Sequence, residues 1–320
     1  MTSGGVAGRA LVTGGAGFIG SHLVDALLAA GGTVRVLDDL SSGRRENLPK
    51  AGDALEFVEG DIRDLATARR ACEGVERVFH LAAVGSVPRS MKDPAHTLSV
   101  NVGGTANVFT AARDAGVRRV VYSSSSSVYG DSATLPKREG EEGRPLSPYA
   151  LSKRVNEELA DVFGRCYGME LVGLRYFNVF GPRQDPEGPY AAVVPRFFKA
   201  CLRGEAPVIY GDGEQSRDFT FVEDAVQANV LAASAPPSAC GRVYNVAGGR
   251  GVTVNQLADA VREVAGTGLP SRHEPERPGD IRHSLADLSR TRADLGYEPG
   301  TDLRTGLLRA RAWFVGRPAT

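Results

Sequence analysis

Residues 11–23 read LVTGGAGFIGSHL, and they join a strand-like apolar run to a helical one through three glycines. The spacing G-x-x-G-x-x-G is one residue longer between its first two glycines than the common dinucleotide fingerprint. One glycine permits the tight turn, another lets the backbone approach a pyrophosphate, and the third lets helix and strand pack closely. The helix start adds free N–H groups and a positive dipole end. The stretch predicts a phosphate-binding βα turn, although an ordinary βα turn would carry the same pattern. Its candidate cofactor contacts are Gly14, Gly17, Phe18, Ile19 and Gly20.

On both sides of this turn, short apolar runs alternate with stretches of helical spacing. Such alternation predicts the α/β class, with a doubly wound parallel sheet of Rossmann type and right-handed crossovers. The predicted strands are 10–13, 34–38, 55–59, 77–81, 119–123 and 170–175, and the predicted helices include 21–30, 100–115 and 148–167.

The composition of the sequence changes after Asn178, where proline and glycine become frequent and the predicted helices and strands become shorter. We therefore expect a cofactor-binding domain over 1–177 and a smaller, mainly substrate-binding lobe over 178–320. Segments near 218–246 are expected to return to the first domain.

Composition limits the possible partners. The chain has 320 residues, and its 38 Lys and Arg balance its 38 Asp and Glu, so no overall field favours nucleic acid or a membrane surface. The four cysteines are far apart and form no C-x-x-C, which argues against a zinc site and favours a reducing, cytoplasmic location. The N-terminal residues lack the apolar run of a signal peptide. We expect a cytoplasmic protein that binds no metal.

An acidic residue ends the second predicted strand. Asp38 follows Gly20 by 18 residues, where a carboxylate accepts hydrogen bonds from both ribose hydroxyls and repels a 2′-phosphate. This favours NAD over NADP. Asp39 is a neighbouring candidate, and Asp61 and Ile62, after the third strand, are expected at the adenine edge. Two nearby arginines weaken the choice of NAD slightly, as either solvated loop residues or phosphate contacts: Arg44 and Arg45.

Tyr149 and Lys153 are four residues apart in a helical segment, SPYALSKRVNEELA, and therefore lie on one helix face. A surface pair would show the same spacing. A tyrosine is a poor base at neutral pH unless a nearby positive charge stabilises its phenolate, and Lys153 provides that charge. The serines of 123–127, at the end of the fifth strand, supply hydroxyl groups at the same edge of the sheet.

Five further motifs, taken with these residues, resemble the extended short-chain dehydrogenase/reductase family and, within it, the nucleotide-sugar 4-epimerases. The motifs are HLAAVGSVPRS (80–90), SSSSSVYGD (123–131), LRYFNVFGPRQDP (174–186), GDGEQSRDFTFVED (211–224) and RPGDIRHSLAD (277–287). The resemblance covers essentially the whole chain. It implies bound NAD, a UDP-sugar substrate, a homodimer with paired helices at 100–115 and 150–167, and exchange of a hydroxyl configuration through a transient 4-keto intermediate.

The resemblance also implies residue roles. Ser125 would be the catalytic serine with Ser124 as the alternative, Tyr149 the acid/base, and Lys153 its partner. Asp280 would either contact the uridine ribose or hold Arg282. The other implied cofactor contacts are Leu81, Ala82, Ala83 and Tyr176, and the implied substrate contacts are Ser86, Ser124, Ser125, Ser126, Asn178, Val194, Tyr210, Arg217, Arg282 and Ser284.

Departures from related enzymes narrow the expected reaction. Dehydratases carry an Asp-Glu pair directly after the catalytic residue, whereas this chain has Ser126 and Ser127. Enzymes acting on UDP-glucuronate often have arginine at the position of Asp185. The carboxylate of Asp185 would repel a sugar acid, so a neutral hexose is expected. Epimerases restricted to unsubstituted sugars have tyrosine at the position of Ser284. The smaller serine side chain would leave room for a 2-acetamido group.

UDP-N-acetylglucosamine is accordingly the expected substrate, with UDP-glucose as the lesser one. The alternatives are a UDP-glucose or UDP-glucuronate 4-epimerase, another NAD-dependent nucleotide-sugar oxidoreductase or dehydratase, and a non-catalytic NAD-binding protein.

Overall fold

Seven parallel strands form the central sheet of the computed structural model, which describes residues 8–187, 191–276 and 281–316. Counted along the chain, the seven are β1–β6 and β11, and their order across the sheet is β11-β6-β5-β4-β1-β2-β3. Their bounds are β1 Arg9–Thr13, β2 Thr33–Asp38, β3 Leu55–Glu59, β4 Arg77–His80, β5 Arg119–Ser125, β6 Glu170–Tyr176 and β11 Arg242–Val246. The order reverses between β1 and β4, as in a doubly wound sheet, and the predicted fold class is confirmed.

Helices cover both faces of this sheet. Their bounds are α1 Phe18–Ala29, α2 Leu65–Cys72, α3 Val87–Lys92, α4 Pro94–Leu98, α5 Thr105–Asp114, α6 Pro148–Tyr167, α7 Val193–Leu202, α8 Val222–Ser234, α9 Val254–Ala265, α10 Ser289–Leu295 and α11 Leu303–Val315. One buried cluster joins the sheet to α1, α8 and α10, and a second joins it to α2, α5 and α6.

The C-terminal part builds a third cluster from α7, α9 and α11. Six short strands pair in twos beside it, as β10 with β7, β12 with β9 and β13 with β8. Their bounds are β7 Val179–Phe180, β8 Val208–Tyr210, β9 Ser216–Asp218, β10 Thr220–Phe221, β12 Gly251–Thr253 and β13 Arg272–Glu274. The chain returns to the main sheet through β11, whose Val243 pairs with Gly173 of β6.

Some element bounds differ from those predicted. Helix α1 begins at Phe18 rather than at residue 21, because the glycine turn leads directly into it. The predicted helix 100–115 begins with a wide π-helical turn, Ser99–Gly104, before α5. The Ile62 side chain packs against Gly104, where a Cβ would lie 2.4 Å from Ile62 Cδ1. That close contact accounts for a glycine inside a helical segment.

Two buried arginines tie strands to the ends of helices. Arg119, which begins β5 and is 3% exposed, donates from Nη1 to the carbonyls of Ala232 and Ala233 at the end of α8. Its Nη2 donates to Glu170 Oε2 at 2.7 Å, on the paired residue of β6. Arg35 of β2 makes the same kind of contact with the end of α2. Because terminal helix carbonyls lack intrahelical partners, a buried guanidinium satisfies them and complements the helix dipole.

Replacing Arg119 should therefore destabilise the fold. Arg119→Met leaves the carbonyls at the end of α8 and the Glu170 carboxylate without their donor, and we expect a loss of about 3 kcal/mol in the free energy of unfolding. The neighbouring Arg118 is exposed, and Arg118→Met should change the same quantity by less than about 0.5 kcal/mol. Urea denaturation of both variants tests this, and equal losses would contradict the role of Arg119.

Candidate active site

The glycine turn lies at the point where the order of strands reverses, between β1 and β4. Gly14 has a φ of +69°, and a Cβ there would lie 2.7 Å from the Ala82 backbone nitrogen. A Cβ on Gly20 would lie 2.1 Å from the Gly14 carbonyl oxygen. Gly17 precedes α1 and its N–H donates to Gly14 O at 3.1 Å. The first N–H groups of α1 have no preceding helical turn to donate to, so the compact turn presents them at the sheet edge.

Asp38 lies beside this turn at the end of β2. Its carboxylate is 7% exposed and accepts from the N–H of Ala16 and of Leu40, both at 2.9 Å. Burial raises the pKa of Asp38, and these two hydrogen bonds oppose that rise. A carboxylate has about four acceptor positions, so capacity remains for ribose hydroxyls. The glycine cradle and this acid fit the pyrophosphate and the adenosine ribose of NAD.

The other predicted cofactor contacts differ in environment. Asp39 is exposed and accepts from Ser41, whereas the Asp61 carboxylate forms an ion pair with Arg63 at 2.5 Å that lowers its pKa. Ile62 is 5% exposed. Residues Leu81, Ala82 and Ala83 follow β4 and are half-buried, and the Leu81 and Ala82 nitrogens donate to Thr13.

The catalytic candidates lie where α6 meets the end of β5. Ser147 caps α6 by accepting from Ala150 N–H at 3.1 Å, and Tyr149 and Lys153 follow in the first two turns. Lys153 is 3% exposed, and its Nζ donates to the carbonyl of Ser123 at 2.9 Å and to the Ser123 hydroxyl at 3.0 Å. Burial lowers the pKa of Lys153 to about 8, while the Glu157 carboxylate opposes this shift.

Tyr149 is half-buried and forms a side-chain hydrogen bond with Ser125. Burial raises the pKa of Tyr149, and the bond to Ser125 works in the opposite direction. A phenol, a serine hydroxyl and a nearby ammonium provide what proton transfer to or from a sugar hydroxyl requires.

Ser124 faces a different environment from Ser125. Its hydroxyl is buried and donates to Glu157 Oε1 at 2.5 Å, above its pairing partner Arg175 on β6. Successive side chains of a strand point to opposite faces, so the two serines cannot both meet Tyr149. The geometry favours Ser125, with Ser126 half-buried directly after it.

Two predicted substrate contacts, Arg217 and Arg282, meet where β9 runs beside the segment starting at residue 281. Arg217 Nη1 donates to the Arg282 carbonyl at 3.4 Å. Arg282 is exposed and pairs with both carboxylate oxygens of Asp212, at 2.9 and 2.7 Å. Ser284 is half-buried, and its N–H donates to Ser216 O at 3.1 Å. Asp280, the other candidate on this segment, lies outside the described residues.

Asp218 holds this segment to the rest of the site. It is fully buried and accepts from Gly249 N–H at 3.0 Å and from Ala286 N–H at 3.2 Å. Burial raises the pKa of Asp218 to about 6, against the hydrogen bonds from the backbone. The arginines and Ser284 therefore depend on a buried carboxylate for their placement.

Five remaining candidates lie around the groove, the region between the glycine turn, the end of β5 and the segment starting at residue 281. Ser86 caps α3, and Asn178, with a φ of +32°, donates to Asp218 O. Tyr176 is buried, with its hydroxyl bonded to Asn229 of α8. Val194 is 2% exposed in the first turn of α7, so only its backbone is available to a ligand, while Tyr210 lies under the Arg196 guanidinium.

Asp185 lies beside the glycine turn, away from Tyr149 and Ser125 in the sequence-predicted site. Its carboxylate is 3.3 Å from Arg44 Nη2, beside Gly17 and Phe18 at the cofactor end of the groove. The expectation that Asp185 would repel a sugar acid assumed a position at the hexose. Asp185 therefore does not decide between neutral and acidic sugars.

Sequence reasoning missed the groups that surround Lys153. His80 is buried between Thr13 and Thr105, at 2.7 and 2.9 Å, and burial together with the Lys153 charge lowers its pKa to about 3. Glu157 and Arg175 form a buried ion pair. Tyr149, Lys153 and Glu157 are each four residues apart, and this spacing indicates that Glu157 lies on the same helix face as the other two. Nothing in the sequence indicated which strand residues would contact the Glu157 carboxylate.

Within the described ranges, no three His, Cys, Asp or Glu side chains come close enough to hold a metal ion. Across the same residues, none of the helices has the length and apolar character needed to cross a membrane.

Comparison with known proteins agrees with this geometry. Residues 10–247 match the model of the NAD dependent epimerase/dehydratase family. A UDP-glucose 4-epimerase of Mycolicibacterium smegmatis is 43% identical, covering 96% of this chain and 98% of its own.

Two solved structures are similar over nearly the whole chain. A UDP-N-acetylglucosamine 4-epimerase of Methanobrevibacter ruminantium, in complex with UDP-N-acetylmuramic acid, has a TM-score of 0.92 and 42% identity, with 97% of this chain and 98% of the other covered. A Thermus thermophilus UDP-glucose 4-epimerase in complex with NAD has a TM-score of 0.88 and 38% identity, with 96% and 99% covered. The chain therefore belongs to the NAD-dependent epimerase/dehydratase family, and NAD is its cofactor.

Proposed function

We propose that this enzyme catalyses the reversible 4-epimerisation of UDP-N-acetylglucosamine and UDP-N-acetylgalactosamine, with UDP-glucose and UDP-galactose as a lesser pair. The observation that carries the proposal is the hydrogen bond between Tyr149 and Ser125, one helical turn from the buried Lys153. The 4-epimerase relatives, at about 40% identity over nearly the whole chain, support the reaction type.

Tyr149 acts as the acid/base at the sugar 4-hydroxyl. As phenolate it takes the hydroxyl proton, and it returns that proton once the sugar has presented its other face. Ser125, already bonded to Tyr149, donates to the same sugar oxygen and keeps the proton path short. The Lys153 ammonium favours the phenolate electrostatically. Gly14, Gly17 and Asp38 would hold NAD, which would supply a reversible hydride acceptor for carbon 4 and leave the reaction with no net redox change.

Arg217 and Arg282 bind the diphosphate, for which guanidinium groups are suited in shape and charge. The pair lies at the surface of the C-terminal part, where the Arg282 side chain is half exposed. Holding the diphosphate there while the sugar is bound loosely permits the sugar to turn over within the site. Ser284, two residues from Arg282, leaves space for a 2-acetamido group, and this supports the acetamido sugar as the preferred substrate.

The proposal includes a homodimer formed through α5 and α6. Arg113 of α5 lies 4.8 Å over the Tyr167 ring of α6, which ties the two helices together. Three apolar or aromatic side chains of α6 remain exposed in the single chain: Leu151 and Val162, which share one helix face, and Tyr167 at the C-terminal end. Burial of these groups against a second copy would remove them from water.

Removal of the Tyr149 hydroxyl should abolish most of the activity. Tyr149→Phe keeps the ring but not the ionisable group, so UDP-sugar binding should persist while kcat falls by about 100-fold or more. Tyr167→Phe, at the exposed end of the same helix, is the matched control and should leave kcat unchanged. The assay separates the epimers of UDP-N-acetylglucosamine. Near-normal turnover by Tyr149→Phe would refute the proposed acid/base.

The charge of Lys153 should appear in the pH profile. Because burial lowers its pKa to about 8, the ammonium is present below that pH and is lost as the pH rises through it, so wild-type activity should decline there. Lys153→Ala removes the charge that stabilises the phenolate, so the pKa of Tyr149 rises. We expect a lower rate and an optimum at higher pH. An unchanged optimum in kcat profiles would exclude this role.

Ser284→Tyr should change substrate preference. The added ring should clash with the acetamido group of UDP-N-acetylglucosamine and spare UDP-glucose, which has only a hydroxyl at that carbon. A clash worth several kcal/mol corresponds to a change of at least about 100-fold in the ratio of kcat/KM values. UDP-glucose turnover should stay within roughly tenfold of wild type.

The outcomes of the Ser284→Tyr experiment separate the possibilities. An equal fall with both substrates would mean that the whole pocket has closed. No change with either would mean that Ser284 does not face the sugar. Net NADH formation by the wild-type enzyme would favour an oxidoreductase over an epimerase.

A further inference from the structure

Arg175 of β6 carries a guanidinium buried behind the catalytic serines. The side chain is 2% exposed, and it donates to both oxygens of Glu157, from Nε and from Nη2, each at 2.8 Å. Its Nη1 lies 2.5 Å from Glu142 Oε1. Such a bidentate pair fixes the Glu157 carboxylate in one orientation.

Glu157 connects this ion pair to the catalytic strand. Its Oε1 also accepts from the Ser124 hydroxyl at 2.5 Å, and Ser124 lies between Ser123, which accepts from Lys153, and Ser125, which bonds to Tyr149. Along α6 the carboxylate follows Lys153 by four residues, on the same helix face. One carboxylate therefore contacts the strand end and lies one turn from the catalytic ammonium.

The other charged and titratable groups around Lys153 do not replace this carboxylate. Tyr149 precedes the lysine on α6, His80 of β4 is buried and neutral, and Arg175 of β6 is positive. Glu142 lies beyond Arg175 and also pairs with Arg154 at 3.2 Å. Among these groups Glu157 is the negative charge that acts on Lys153, raising its pKa against the effect of burial.

We propose that Glu157 is a positioning residue that acts through Lys153: fixed by Arg175 and Ser124, it keeps the buried lysine charged and holds the end of β5 in register with α6. The link to catalysis rests on the proposed epimerase function, whereas the effect on Lys153 does not. Glu157 itself contacts neither the substrate nor the cofactor in this scheme.

The test measures the protonation of Lys153 directly. The chain has five lysines, so ¹³Cε-lysine NMR of the NAD-loaded enzyme should resolve Lys153, assigned by the resonance lost in Lys153→Met. In Glu157→Gln the side-chain shape is kept and the charge is removed. We expect the titration midpoint of Lys153 to fall by about one pH unit, because a nearby carboxylate shifts a pKa by that order. The alkaline limit of kcat should fall with it, by about tenfold in rate at fixed alkaline pH, while KM stays unchanged.

Glu142→Gln is the matched control. It removes the other carboxylate from the same guanidinium, so it should lower Tm comparably but leave the Lys153 midpoint at the wild-type value. A midpoint that is unchanged in Glu157→Gln, with a Tm loss like that of Glu142→Gln, would overturn the proposal and leave Glu157 a structural residue.

If Glu157→Gln does not fold, the double variant Glu157→Gln/Arg175→Met avoids leaving Arg175 without this partner. Because loss of the Arg175 charge by itself raises the midpoint, the reference for the double variant is Arg175→Met. The midpoint should be lower in the double variant than in Arg175→Met, and equal midpoints also overturn the proposal. Should the wild-type enzyme epimerise neither sugar, the proposed function fails, and the lysine titration still decides the role of Glu157.

Discussion

An ammonium group buried between a helix and a strand needs acceptors for its protons and a counter-charge close by, because burial otherwise drives it to the neutral form. Lys153 is in that situation, with acceptors at the end of β5 and a carboxylate one turn along α6. The site depends on this arrangement. It sets the distance between α6 and β5, and through that distance the contact of Tyr149 with Ser125. Any change in how α6 packs on the sheet therefore also changes the electrostatic environment of Tyr149, the proposed acid/base.

The rest of the fold brings separate parts of the chain to the end of β5, where Lys153 lies. Parallel strands end at one edge of the sheet, so the glycine turn after β1, Asp38 after β2 and the serines of β5 share an edge without being close in sequence. The C-terminal lobe builds a separate buried cluster from α7, α9 and α11. Asp218, buried and accepting backbone hydrogen bonds from two distant segments, joins that lobe to the groove. Burial raises the pKa of Asp218, because it removes the carboxylate from water. The backbone hydrogen bonds that Asp218 accepts hold the segments that carry Arg217 and Ser284.

The two ends of the groove differ in how closely their groups are fixed. Around Lys153, the polar groups are buried and hydrogen-bonded to specific partners, which suits a proton transfer that tolerates little misplacement. Around Arg282, the groups are exposed and paired with an exposed aspartate, an interaction that contributes little to stability and is easily exchanged for a phosphate. The 4-epimerase relatives include proteins named for UDP-glucose and for UDP-N-acetylglucosamine at similar identity. In the proposed scheme, substrate choice therefore depends on the periphery of the site, where Ser284 lies, rather than on the groups around Lys153.

The sequence alone predicts the parallel sheet, the glycine turn, Asp38 beside it and the pairing of Tyr149 with Lys153 on one helix face, because each of these follows from local periodicity or from residues close in the chain. It did not decide between Ser124 and Ser125, since five consecutive serines carry no local difference. The tertiary structure favours Ser125, because the alternation of β5 and its register with β6 place Ser124 against Arg175 and Glu157. It also places Asp185 beside the glycine turn and next to Arg44, more than a hundred residues away in sequence. Contacts between distant segments depend on how the sheet and the lobe pack, and no local pattern encodes that packing.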